Sequence, residues 1–529
     1  MRLLLALIVS LCATPALAQE AASVSAEVLR DALTHSVTRT PQALGLEEAL
    51  HRSLADNLGL RAKIRELEAA RYRSKASIAP WLPILTAAGN ARPFKNERWF
   101  DQYEAWERTD GNSANYSLGV RSALPVGTTV NLGWSQGTFN QFTTYDPEIF
   151  ITNPLDPDNP IPVLANNDFH TRWSALSLSL NQSLLKGISP TWHLQGMWQA
   201  EIAVDSASLQ RDKEIASVLS DTLKAYWDLV AATENVAIAQ EARELAVSQR
   251  EITQARIGAG DLAPIELLRI DETTATRSSE VLQAEQALEE AEGRLKMVLG
   301  VGLNDTLAYA RILPTDGATL LLPERTRDGS LQSALASNLD LRLARASIES
   351  RNIQWAGDKH ARLPSLDLNA SLTLNGRGFD LAEAVDDVFA RKFPDFEIGL
   401  VFAMPLPDIG SWNTARASGA EVEAALLTLQ QAEREVLAGI EAALLQILSF
   451  DKQVEVAQVR IDLAARTAEA SEATYSVGRN TLRDVLEAHQ ALKSARQARV
   501  AAEVQALKSR IDLEVLRGTL LQTLGVELE

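Results

Sequence analysis

The sequence predicts a mainly α-helical chain interrupted by β-strands of membrane-spanning length, with one structural plan used twice. Three observations carry that expectation. The two halves of the chain align with each other, long stretches free of Gly and Pro carry helical spacing, and nine-residue runs of strict apolar–polar alternation lie between them.

The repeat comes first, because self-similarity at a fixed offset constrains an architecture before local propensity does. Residues 50–85 align with residues 331–366 at a constant offset of 281 without gaps. Identical pairs include Leu50/Leu331, Ala55/Ala336, Asn57/Asn338, Leu60/Leu341, Arg61/Arg342 and Pro83/Pro364. A second match sets residues 255–268 against 473–486, laying Gly260 on Gly478. Further on, Leu299-Gly300-Val301 matches Leu524-Gly525-Val526. The offset grows from 218 to 225 between these matches, a gain of one heptad that would preserve a coiled-coil seam.

Each half reads as helix, strands, very long helix, break and helix. The first half places helices over 46–79, 190–257 and 262–299; Pro80 and Pro83 close the first, and Pro190 suits the opening turn of the second. Gly258 and Gly260 supply the break, since glycine allows tight turning and close backbone approach. The second half places helices over 330–361, 411–477 and 482–524. At about 1.5 Å per residue, a long helix reaches about 100 Å and the two short ones end to end about 110 Å. One long helix can therefore lie beside two stacked short ones, as in a tall helical cylinder. Val281, Ala284, Leu288, Ala291, Leu295 and Val298 follow alternating three- and four-residue steps, and Ala488, Ala491, Ala495, Ala498 and Ala502 repeat the spacing with small residues. An ordinary coiled-coil rod has the same seams.

The strands narrow the choice. Leu366, Leu368, Ala370, Leu372 and Leu374 alternate with Asp367, Asn369, Ser371 and Thr373, and Phe396 to Met404 repeats the pattern. A tilted transmembrane strand needs about 9–11 residues, and alternation of apolar outside with polar or small inside is the barrel signature. Half-buried strands of a water-soluble sheet share this period. The first half adds candidate strands at 82–90, 116–124, 126–134 and 176–181, with Leu124-Pro125-Val126-Gly127 as a tight turn. The stretch Asn153 to Pro160, rich in Pro, Asn and Asp, suits an exposed loop. One chain has too few strands to close a barrel, and an open edge in lipid is costly, so spanning strands require several copies.

The N-terminus reads as an export signal over residues 1–18, with Arg2, the apolar run Leu3 to Leu11 and the small-residue site Ala16-Leu17-Ala18. Cys12, the only cysteine, falls inside it, which leaves no thiol for disulfides or metal after cleavage. The net charge of −18 argues against a nucleic-acid partner. No Gly-Lys pair, Gly-x-Ser-x-Gly or His-Glu-x-x-His motif is present, so neither an enzyme nor a cofactor or metal site is expected.

The run Tyr475-Ser476-Val477-Gly478-Arg479-Asn480-Thr481-Leu482-Arg483-Asp484-Val485-Leu486-Glu487-Ala488 resembles the TolC family of outer-membrane efflux proteins. Asn57 to Arg61, Asn338 to Arg342 and Gln182 to Gly187 echo further family segments. The resemblance covers nearly all of the chain after residue 18. It implies a homotrimeric duct, with a shared β-barrel in the outer-membrane lipid of a Gram-negative bacterium and an α-helical coiled-coil barrel in the periplasm. The domains it implies are a first repeat at 19–299, an equatorial linker at 300–329 and a second repeat at 330–529. It further implies four strands per subunit, twelve per trimer, whereas this first half alone shows four candidates. Gly258, Gly260 and Asp261 in one hairpin tip, and Val477 and Gly478 in the other, would contact a periplasmic adaptor joined to an inner-membrane pump or ABC transporter. Asp484 and Glu487 would form stacked acidic rings at the mouth. Tyr475 and Glu266 match a tyrosine and an acid that hold the mouth closed, while Asn480 stands in the place of an arginine and Arg479 beside it. The implied role is a passive gated exit duct for efflux or type I secretion, against the alternative of an exported coiled-coil scaffold without a pore.

Overall fold

A computed structural model describes residues 41–164, 166–302, 305–316 and 326–526. The expected signal segment 1–18 lies outside the described residues, as do residues 303–304 and 317–325 of the expected linker. In chain order the elements are β1 (Pro41–Leu44), α1 (Leu46–Asp56), α2 (Leu58–Ala76), β2 (Ile84–Phe100), β3 (Ala105–Leu124), β4 (Thr128–Asp146), β5 (Ile149–Ile151), β6 (Ile161–Leu164) and β7 (Asn167–Ser183). The long helix α3 (Pro190–Gly258) follows, then α4 (Ile265–Val298), α5 (Thr306–Tyr309), β8 (Arg311–Pro314), α6 (Arg327–Ser337) and α7 (Leu339–Ala361). β9 (Ser365–Gly378), α8 (Leu381–Phe389), β10 (Phe393–Ala403), the second long helix α9 (Ile409–Ser476), α10 (Leu482–Arg517) and α11 (Leu520–Thr523) follow among the described residues. The chain divides into two compact units, each assembled from both halves of the sequence.

One unit draws on residues 1–56, 221–319 and 457–504. Here β1 and β8 pair in parallel from Pro41↔Arg311 to Leu44↔Pro314. Asp316 fixes this corner: its carboxylate accepts the Leu46 N–H at 2.7 Å and lies 3.0 Å from the Tyr226 hydroxyl. Tyr226, Trp227, Leu223 and Leu295 are fully buried beneath it. The expected seam of α4 is buried at Val281, Leu288, Ala291 and Leu295. On α10, Ala488, Ala495 and Ala502 are buried together with Val485 and Val500, but Ala491 is exposed.

The other unit, residues 57–220, 320–456 and 505–529, contains the main sheet. Its strand order is β10-β9-β7-β4-β3-β2, and every neighbouring pair is antiparallel. The strands run beyond the expected spans; β2 has 17 residues and β3 20. The anticipated turn at Leu124–Gly127 joins β3 to β4, with Gly127 at φ +77° and its N–H on the Leu124 carbonyl at 3.1 Å.

The helices expected over 46–79 and 330–361 are each divided, by Asn57 and Asn338. Both residues have ψ near 120°, and both side chains accept the N–H three residues on, from Leu60 and Leu341, at 3.0 Å. An asparagine that caps a new helix in this way competes with continuation of the old one. Asn338 also donates from Nδ2 to the Leu516 carbonyl at 2.8 Å, beside the core of Ala334, Leu341, Val436, Ile440 and Leu513. The last expected helix stops at Arg517, where Gly518 turns with φ +68° against the Ser337 carbonyl. Glu514 and Arg517 form a buried pair at 2.6 Å, and Thr519 and Thr523 donate to the same carboxylate.

Loss of the cap in Asn57→Ala should cost about 1 kcal/mol, the usual value for an N-cap. Asn338→Ala also leaves the Leu516 carbonyl without its side-chain donor and should cost about 2 kcal/mol. Denaturant melts of the two variants against wild type measure the difference; equal losses would mean that the second bond contributes nothing.

Candidate membrane-facing sheet and helical tips

The register lays residues of one character side by side. Leu85, Val120, Leu132, Leu178, Leu372 and Phe396 form one row across all six strands. Their exposures range from 39% to 75%. The next row on the same face is Ala87, Leu118, Trp134, Leu176, Leu374 and Pro394. Between these rows, on the opposite face, stand Thr86, Gly119, Gly133, Ser177, Thr373 and Asp395. The row beyond on that face is Ile84, Arg121, Asn131, Ser179, Ser371 and Glu397, polar on every strand but β2. Its polar groups bond across strands, as Asn131 Nδ2 does to Ser179 Oγ at 3.2 Å. Burying apolar area is worth about 25 cal/mol per Å². A continuous exposed apolar face of this breadth therefore needs a nonaqueous neighbour. No described helix is long and apolar enough to cross a membrane.

Aromatic residues accompany the apolar rows. At the strand–helix junctions Trp192, Trp355 and Trp412 lie under cations: Lys186 at 5.7 Å, Lys359 at 3.5 Å and Arg416 at 4.0 Å from the ring centres. Indole rings with attendant cations suit the polar boundary of a bilayer. Within the second apolar row, Trp134 meets Phe389 of α8 at 5.7 Å. Helix α8 packs through Ala384 and Val388, and Gly376 leaves room because any Cβ there would collide with the Ala384 carbonyl.

In the first unit two hairpin tips end long helices in the same way. Gly260 and Gly478 have φ of +84° and +74°. The N–H of each reaches back three residues at 3.0 Å, and the N–H of the following residue, Asp261 or Arg479, reaches back five at 2.9 Å. This Schellman closure strongly favours glycine at the left-handed position. Gly258 is the last residue of α3 and, like Gly260 and Gly478, has open space where a Cβ would stand.

Tyr475 is 6% exposed and packs with Ile270, Leu482 and Val485. The Arg256 guanidinium lies 4.9 Å from its ring, and its hydroxyl has no hydrogen-bond partner among the described residues. Glu266 pairs with Arg269 at 3.1 Å, so the tyrosine and the acid are not joined here. Asn480 Oδ1 accepts the Thr481 N–H at 3.1 Å. Asp484 and Thr481 form a capping box: the carboxylate accepts the Thr481 amide at 3.0 Å and its hydroxyl at 2.5 Å, while the Asp484 N–H points back at 3.4 Å. Glu487 pairs with Arg483 at 2.7 Å. Val477, Ile265 and Leu268 are exposed at the tips. Arg256 and Thr481 were absent from the sequence-based site; the spacing Thr-x-x-Asp is a readable signal for the second, while nothing local marks the first.

A half-apolar sheet set among long helices is the architecture of an outer-membrane channel subunit. Residues 330–519 match the family model described as outer membrane efflux protein. The outer membrane protein TolC of Escherichia coli (strain K12) is 23% identical over 369 residues, covering 67% of this chain and 71% of that protein. Among solved structures, the outer-membrane channel OprN aligns with a TM-score of 0.64 at 17% identity over 89% of each chain. VceC of Vibrio cholerae aligns at 0.63 and 15% identity, over 89% of this chain and 96% of that one. Residues 330–519 thus carry an outer membrane efflux protein domain, and the chain as a whole is similar in sequence to TolC and in fold to outer-membrane channels.

Leu178→Arg, on the apolar face, should cost about 2–4 kcal/mol and deplete the protein from the outer membrane, whereas Glu397→Arg, on the polar face where a long side chain already stands, should assemble normally; immunoblots of membrane fractions compare them. At the tip, the Thr481 hydroxyl and amide hold the Asp484 carboxylate below its usual range. That stabilisation is complete above the unfolded value of about 4 and is lost as pH falls through the lower folded value. Asp484→Asn should therefore speed amide exchange at residues 481–485 at pH 7 relative to wild type, and the difference should shrink in acid.

Proposed function

We propose that three copies of this chain form a passive, gated duct, with the main sheets jointly building a barrel in lipid and the long helices extending into the periplasm. The carrying observation is the row from Leu85 to Phe396, apolar and exposed across six strands, backed by a polar row one residue away. A coiled-coil scaffold has no use for such a face. The two repeats, 19–299 and 330–529, would each supply strands to the wall and helices to the shaft, with 300–329 between them.

The duct would be the outer-membrane member of a tripartite efflux or type I secretion system. The exposed apolar residues beside Gly260, Asp261 and Gly478 suit a periplasmic adaptor, through which an inner-membrane pump or ABC transporter would supply the energy. Asp484 and Glu487, one helical turn apart, would form acidic rings that favour cations at the mouth. Tyr475, Glu266, Arg479 and Asn480 would restrain its closed state, with Arg256 seated on the Tyr475 ring.

The protein should remain with the outer membrane after carbonate washing and run as a trimer in detergent; a soluble monomer would end the proposal. In planar bilayers, Arg256→Ala combined with Glu266→Gln should raise single-channel conductance. Tyr475→Phe alone keeps the ring and loses only an unpartnered hydroxyl, so its conductance should stay near wild type. Unchanged conductance in the double variant would remove the gate from this reading.

A further inference from the structure

We propose that the β2–β3 hairpin is a full member of the membrane wall, and that β10 of each copy pairs with β2 of the next to close an eighteen-stranded barrel. This rests on the trimeric duct proposed above. The six-stranded sheet, taken three times, gives the strand number.

The hairpin joins the sheet without interruption. β2 pairs with β3 from Ile84↔Arg121 to Phe100↔Ala105, and β3 with β4 from Trp106↔Asp146 to Leu124↔Thr128, with no shift of register. Apart from Ile84 at the start of β2, the division of faces also continues through it. Leu85, Leu118 and Val120 are exposed on the apolar face, while Arg121 stands on the opposite face beside Asn131. A hairpin lying outside a narrower wall would set one of these faces against an unsuitable neighbour, either Arg121 against lipid or the leucines against water. Membership of the wall satisfies both faces.

Closure follows from the edges. β2, with 17 residues, and β10, with 11, each have a neighbour on one side only. In lipid every backbone N–H and C=O needs a partner, so open edges of this length are excluded and each must meet another strand. Direction selects the partner. Successive strands alternate through the six-stranded order, which makes β2 and β10 run oppositely. Setting β10 against the β2 of a second copy thus continues the antiparallel pattern without a parallel seam. The apolar face would also run on, from Phe396, Ile398 and Leu400 to Leu85 and Ala87 of that copy. With strands about 4.8 Å apart and tilted about 40°, eighteen strands enclose a backbone diameter of about 36 Å, against about 24 Å for twelve.

Disulfide trapping in isolated outer membranes tests the seam, because the native chain has a single cysteine, Cys12, near its start. Thr86→Cys on β2 is combined in turn with Asp395→Cys, Glu397→Cys and Gly399→Cys on β10, which scans the unknown register along one face. Oxidation should link at least one combination between copies, giving bands at two and three times the monomer mass that disappear on reduction. Asn131→Cys on β4 with the same β10 partners reports the narrower closure, in which β4 would take the edge. Ser117→Cys with Ser135→Cys, neighbours within one chain, controls for oxidation. Links through residue 131 overturn the proposal while leaving the trimer intact, as does failure of all β2 combinations in trimers whose control pair oxidises. Complexes that are not trimeric in detergent overturn the duct reading itself.

Discussion

The constraint on which the main sheet depends is that a strand crossing lipid must satisfy its own backbone while showing lipid only apolar side chains. Hydrogen bonding to neighbours meets the first demand, and a side-chain period of two meets the second. Both hold together only if all strands keep a common register, because a slip of one residue would turn every side chain to the other face. The row of Leu85, Val120, Leu132, Leu178, Leu372 and Phe396 shows that register kept across segments far apart in the chain. Strands from both halves meet at β7 and β9, where Leu178 faces Leu372 and Ser179 faces Ser371.

The helical part is governed by a different requirement, the termination of long helices at defined points. Gly260, Gly478 and Gly518 each accept a positive φ that other residues adopt at a cost, and each closes its helix through backbone bonds. Asn57 and Asn338 act at the opposite end, opening helices. Surface ion pairs such as Arg250–Asp271 and Arg496–Glu241 link helices within the first unit but are exposed and contribute little each. Packing around Ile270, Tyr475, Leu482 and Val485 holds the tips instead.

Much of this was legible in the sequence because its signals are periodic or punctual. Alternation marked all six strands of the main sheet, and glycine or proline marked the ends of the long helices. The strand lengths were not legible: outside the apolar rows both faces become polar, as in Asn112, Asn140 and His170, and a strand held only by backbone pairing has no periodic signature. The breaks at Asn57 and Asn338 were hidden for a related reason. Asparagine inside a helical pattern is ambiguous until its side chain is seen to accept the N–H three residues on. At the tips, the sequence offers Tyr475 and Asp484 as candidates and the spacing Thr-x-x-Asp points to Thr481, whereas Arg256 emerges only from the packing of separate helices.

Side-chain size on the two faces agrees with the division by polarity. When a sheet curves, residues on its concave side have less room than those on its convex side. The polar face of the main sheet carries Gly119, Gly133, Ser177, Ser179 and Ser371, whereas the apolar face carries Leu, Val, Trp and Phe at neighbouring positions. Large groups on the polar face would resist curling toward it, and small groups on the apolar face would leave gaps where the surface fans out. Polarity and volume therefore select the same inside. A sheet that curves toward its small polar residues becomes lipid-facing on its outer surface and water-lined within, which is the condition for a conduit through a membrane.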